Sequence, residues 1–126
     1  MLSLEFLGEL GGGFAHALKA RVAEFEVDGV AFRTNTTPAI MGVINLSPDS
    51  WYRESVCLNL EMAARRGRVL SAQGAAILDL GAESSLPHAA RVDPSTQLAK
   101  LGPLIRELAG CGAAISVETY DPQVLQ

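Results

Sequence analysis

Three short apolar runs recur along the second two thirds of the chain: residues 40–44, 75–80 and 113–117. None alternates apolar with polar side chains, as a strand covered on one face would. Between them the spacing changes to a helical one. Leu60, Ala63, Ala64 and Leu70 mark a helix within residues 57–73, with Gly67 weakening its interior. Leu98, Leu101, Leu104, Ile105 and Leu108 mark a second, opened by Asp93-Pro94 and expected to kink or turn irregular at Pro103. Asp121-Pro122 repeats the cap-and-proline signal, so the order is β-α-β-α-β with a further helix beginning. The three runs are therefore expected to form adjacent parallel strands.

The first third reads differently. Glu24 to Val27 and Val30 to Arg33 flank Asp28-Gly29, a hairpin signal because the turn needs positive φ at both central residues. A hairpin is marginal alone and should cover one end of a larger core. Residues 1–23 form an extension in which Gly11-Gly12-Gly13 suggest a flexible break, followed by a helical segment from Phe14 to Ala23. No Lys-Ser or Lys-Thr follows those glycines, so they are not a phosphate loop. The organisation expected is an extension (1–23), a hairpin (24–34) and a β/α unit over 39–126.

Composition narrows the function classes. The chain has 126 residues, 48% hydrophobic and 19% charged, with a net charge of -4. That excludes disorder and argues against nucleic acid, which requires clustered Lys and Arg. Arg65, Arg66 and Arg68 read as the solvated face of a helix. Cys57 and Cys111 have no metal or redox spacing and read as reduced, semi-buried thiols. No apolar run approaches the ~18 residues of a membrane span, and no signal core opens the chain. The expectation is a cytoplasmic protein with no membrane partner.

All three strands end in polar residues, and barrel enzymes gather their chemistry at strand C-terminal ends. Asn45 offers an amide to a ligand, a metal or the turn at Ser47-Pro48-Asp49-Ser50. Residue types alone leave these alternatives open. Asp49 is expected to accept backbone N–H groups in an Asx turn. Asp79, inside an apolar run, must be hydrogen-bonded, paired or open to a cleft. Glu83, Ser84 and Ser85 lie on a loop able to cup an anion. His88 has reach toward the same mouth, and His16 reads as a packing or surface residue. Asn45, Ser85 and Glu118 are expected to converge, with Asp79 on the wall. No Ser-His-Asp or Cys-His arrangement is readable, so the motifs point to polar capture of a ligand rather than acyl transfer.

Three segments carry a resemblance. "MGVINLSPDS" (41–50) is similar to a strand-and-loop signature ending N-[hydrophobic]-T-P-D-S. "ILDLGAESSLP" (77–87) is similar to I-[hydrophobic]-D-[hydrophobic]-G-G-E-S-T-R-P, and "ISVETYDP" (115–122) to a segment containing I-S-V-D-T. Together they resemble the amino-terminal part of the dihydropteroate synthase family, over about residues 24–126. The resemblance implies an α/β fold, part of a (β/α)₈ TIM barrel. It implies condensation of 6-hydroxymethyl-7,8-dihydropterin pyrophosphate with 4-aminobenzoate, assisted by Mg²⁺, in folate synthesis. Asn45 then matches an asparagine near the metal and pyrophosphate. Ser47, Pro48, Asp49 and Ser50 match a mobile first loop, Ser85 a threonine on the pyrophosphate substrate, and Glu118 an aspartate on the pterin ring.

The departures are specific. Glu118 is one methylene longer than aspartate, a displacement that can cost about 10²-fold in rate. Leu86 stands for an arginine, Ala82 for a glycine, and Trp51 to Ser55 for F-S-D-G-G. A complete barrel takes ~250 residues, so these residues alone are expected to form no detectable dihydropteroate. The alternatives implied are an inactive pterin-binding paralogue or a non-functional barrel fragment. An open sheet edge also favours self-association.

Overall fold

The computed structural model describes residues 3–126. Strands β3 (Met41–Asn45), β4 (Ile77–Gly81) and β5 (Ala114–Glu118) form a parallel sheet in the order β3-β4-β5. Helix α2 (Leu60–Ala72) joins the first pair and α3 (Pro94–Leu108) the second. This is a partial (β/α)₈ architecture: consecutive β/α units with neighbouring strands in parallel.

In-register parallel partners point their side chains to the same face. Ile44 pairs with Leu80 and Leu80 with Val117, while Gly42 pairs with Leu78 and Leu78 with Ile115. These rows face the helices. Ile44, Leu78 and Leu80 are fully buried there with Ala63, Leu104 and Leu108. The alternate rows, Val43-Asp79-Ser116 and Asn45-Gly81-Glu118, point to the opposite face. The apolar runs thus conceal a period of two in their few polar members.

Each helix starts where a side chain satisfies its free N–H groups. Asn59 accepts from Met62 N at 2.9 Å and starts α2 at Leu60, later than the spacing indicates. Residues 56 and 57 instead extend alongside β3, with Cys57 N donating to Asn45 O at 2.8 Å. Gly67 is the close-packing point between the helices: a Cβ there would lie 2.6 Å from Leu108 Cδ2. Asp93 caps α3 through Thr96 N at 2.9 Å. The helix continues through Pro103 to Leu108. The carbonyl of Ala99 loses its donor there, but Ala99 is exposed and water can replace it.

The buried stripe of α3 is Gln97, Leu101, Leu104 and Leu108, whereas Leu98 is 43% exposed. Arg65 and Arg68 are exposed, but Arg66 is half-buried and donates from Nε to Val43 O at 3.3 Å on the sheet edge. Cys57 is buried and Cys111 partly so, both unbridged. Burial pushes the Cys57 thiol pKa up, with Arg66 opposing.

The hairpin forms as its turn requires: β1 (Phe25–Val27) and β2 (Val30–Phe32) are antiparallel, with φ of 49° at Asp28 and 75° at Gly29. Phe25 and Phe32 stack at 4.9 Å. Ala31, Phe32 and Arg33 line a groove with Ile40 and Ala76, so the hairpin sits by the N-terminal ends of β3 and β4.

The glycine run departs from expectation. Helix α1 (Leu4–Gly13) is capped by Ser3 and contains all three glycines as its last turn. The Phe14–Ala23 helix reduces to one 3₁₀ turn at Ala17–Lys19. The Ser3 cap and the Leu4, Leu7, Leu10 spacing favour the earlier segment, and glycine is tolerated best at a helix end. Likewise only a 3₁₀ turn, Pro122–Leu125, follows Asp121.

Candidate functional site

At the C-terminal ends of the strands lies a cleft of ≈ 390 Å³. Asn45, Asp79, Ser85 and Glu118 line it together with Glu83 and Ser84. Sheet register explains this convergence. Asn45, Gly81 and Glu118 form one lateral row, and Gly81, between the other two, has no side chain. A Cβ on Gly81 would lie 3.2 Å from Asn45 Oδ1 and 3.6 Å from Glu118 Oε2. Two acceptor oxygens therefore flank one gap. Neither has a protein hydrogen-bond donor among the described residues.

Asn45 serves the loop and the cleft with opposite ends. Its Nδ2 donates to Ser55 Oγ at 2.6 Å and to Ser50 Oγ at 3.0 Å, leaving Oδ1 toward Gly81. Asp79, one row below, accepts the Ser116 hydroxyl at 2.7 Å while still facing the cleft. That satisfies a carboxylate inside an apolar strand.

Two loop residues are placed elsewhere. Ser47 is buried and Asp49 exposed, and neither lines the cleft. The turn acceptor is Ser47, whose Oγ receives Asp49 N at 3.3 Å, so the Asx turn expected at Asp49 is an ST turn two residues earlier. Asp49 contributes its carbonyl to Ser84 Oγ at 3.3 Å, tying the first loop to the second. His88 is exposed and stands outside the cleft lining. His16 is exposed as well.

A buried polar network braces the far wall. Glu83 accepts from Arg91 Nη1 at 2.8 Å and from Gln97 Nε2 at 2.9 Å. Gln97 also donates to Val92 O at 2.8 Å and accepts from Thr119 Oγ1 at 3.0 Å. Its amide is thus fully occupied, which is how a polar residue takes a 0% exposed position on α3. Thr119 follows Glu118, so this network anchors the strand end that carries the cleft carboxylate. Arg91 also lies 4.9 Å over the Tyr120 ring. Its bond to Glu83 raises its pKa further above the ordinary arginine range.

Sequence reasoning missed Trp51 and Tyr52, which line the cleft while remaining 78% and 44% exposed. It also missed Ser55, whose partner Asn45 lies ten positions away, outside its own turn. Large exposed aromatics beside a polar strand end were the available signal for the first two. The cleft combines acceptor oxygens, loop hydroxyls and two aromatic faces, suited to a flat ligand rich in hydrogen-bond donors. No group of three or more His, Cys, Asp or Glu side chains forms a metal cage among the described residues. Likewise no helix among them is long and apolar enough to cross a membrane.

Comparisons with known proteins bear on the family and the fold. The pterin binding enzyme family model matches residues 41–126. A dihydropteroate synthase of Neisseria meningitidis serogroup C is 40% identical over 90 residues, covering 71% of this chain and 32% of its own length. The Yersinia pestis dihydropteroate synthase, solved with a sulfonamide drug complex, superposes with a TM-score of 0.72 at 28% identity, over 82% of this chain and 38% of its own. That of Burkholderia cenocepacia, complexed with 7,8-dihydropteroate, gives 0.64 at 28% identity, over 82% and 33%. The chain spans about a third of the length of the curated relatives it matches. Its matched region holds the strand-loop signature, the parallel sheet and the cleft at their junction, and the chain belongs to the pterin binding enzyme family.

Proposed function

We propose that the cleft is the pterin-pyrophosphate side of a dihydropteroate synthase site. The reaction would join 6-hydroxymethyl-7,8-dihydropterin pyrophosphate to 4-aminobenzoate, releasing pyrophosphate in folate synthesis. The observation that carries this reading is the Asn45-Gly81-Glu118 row, where a carboxamide oxygen and a carboxylate face one gap. The Glu118 carboxylate is an acceptor for the N–H groups of a pterin ring. Ser84 and Ser85 present hydroxyls for phosphate oxygens, and Trp51 and Tyr52 offer faces for an aromatic ring. Ser47 and Asp49 contribute indirectly, by holding the first loop in its turn and against Ser84.

The donor set fits Mg²⁺ in its usual mode. That ion takes one or two protein oxygens and completes its shell with water and substrate phosphates, rather than requiring an all-protein cage. Asn45 Oδ1 is the protein oxygen that would hold it. When bound, Mg²⁺ supplies charge neutralisation on the departing pyrophosphate.

A second reading, pterin binding without turnover, is favoured by Glu118 in place of aspartate and by Leu86 in place of arginine. Calorimetric titration with the pterin pyrophosphate, with and without Mg²⁺, tests the common part. Saturable Mg²⁺-dependent binding, preferred over a methyl-pterin, is expected. Equal binding of both, or of neither, would reject the pyrophosphate assignment. Mass-spectrometric detection of dihydropteroate in the presence of 4-aminobenzoate separates turnover from binding alone.

A further inference from the structure

The orientation of the Asn45 carboxamide is set by one residue outside the cleft. Ser55 is 0% exposed, and its Oγ donates to Tyr52 O at 2.6 Å. A hydroxyl has one proton, so toward Asn45 it can offer only lone pairs. Asn45 answers with its NH₂ group, at 2.6 Å from Ser55 Oγ. Reversal would press Oδ1 against those lone pairs, whereas the Ser50 hydroxyl, 3.0 Å away, can accept from the amide or donate to its oxygen and so does not choose between the two orientations. The backbone fixes the geometry, because Cys57 N bonds Asn45 O at 2.8 Å and Val56 bridges to Asn45.

We propose that Ser55 is a positioning residue that locks the Asn45 carbonyl oxygen toward Gly81 and Glu118, making it available to a hard cation or a ligand donor. The choice of ligand rests on the reading above, whereas the lock itself does not.

Two measurements keep these apart. Without ligand, ¹⁵N NMR of the full chain reads the Asn45 side-chain NH₂ directly. Both protons are expected to be shifted and slow to exchange in the wild type, to return toward free-amide values in Ser55→Ala, and to recover in Ser55→Thr. Free-amide exchange in the wild type overturns the proposal whether or not any variant folds. With ligand, Ser55→Ala is expected to weaken binding of the pterin pyrophosphate with Mg²⁺ about tenfold. In an Asn45→Asp background the same change should cost little, because a carboxylate has oxygen on both arms. An equal cost in both backgrounds would make Ser55 merely structural and overturn the proposal. Altered Asn45 resonances in a chain that binds no pterin pyrophosphate would remove the ligand assignment and leave the lock standing.

Discussion

Asn45 Oδ1 and Glu118 Oε2 face each other across the bare Cα of Gly81, 3.2 Å and 3.6 Å from where a Cβ would stand. The strand register fixes this row. Gly81→Ala should therefore fill the gap while leaving the fold intact. A melting temperature close to wild type, with pterin-pyrophosphate affinity reduced at least about tenfold, is expected. Unchanged affinity would place the ligand elsewhere.

Gln97 supports this row from behind. Gln97→Leu would leave the buried Glu83 and the part-buried Thr119 each short of a partner, a loss of about 2–3 kcal/mol. Thermal unfolding should fall by roughly 10 °C. A change under about 2 °C would mean that the network contributes little to stability.

Glycines inside α2 and α3 should respond in opposite directions. At Gly102 a Cβ meets only Arg106 Nη1, at 3.6 Å, so Gly102→Ala should gain up to about 1 kcal/mol of helix propensity. At Gly67 the same change drives a Cβ to 2.6 Å from the buried Leu108, and overpacking of about 1–3 kcal/mol should exceed that gain. Chemical denaturation of both variants checks the sign of each.

Acid should weaken the α3 cap in a defined window. Hydrogen bonds from Ser95 and Thr96 lower the Asp93 pKa from 3.8 to about 2. The unfolded chain then binds the proton first, so the stabilisation is fully present above about pH 4 and is lost as pH falls through about 2. Asp93→Asn should flatten the pH dependence of the melting temperature between those values. A slope identical to wild type would show that other groups dominate it.

Local chemistry was the most legible part of the sequence. Asp28-Gly29 identified the hairpin, and Asp93-Pro94 the start of α3, because each is satisfied within a few residues. The strand ends were readable too, since Asn45 and Glu118 interrupt apolar runs. What escaped depends on distant partners. Gln97 displaces Leu98 from the buried stripe only because Glu83 and Thr119, 14 and 22 positions away, complete its amide. Ser55 looked like a departure from a flexible loop, and its bond to Asn45 appears only once residues 53–57 fold back along β3. The glycines of α1 misled because glycine marks a helix end as readily as a break.

The most direct test of the cleft assignment is a ¹⁵N chemical-shift map of the chain, titrated with the pterin pyrophosphate in the presence of Mg²⁺. The largest perturbations should fall on Asn45, Trp51, Tyr52, Asp79, Ser84, Ser85 and Glu118, and should be absent in Asn45→Ala. Perturbations centred instead on the separate groove lined by Leu58, Lys100 and Pro103, or no saturable change at all, would contradict it.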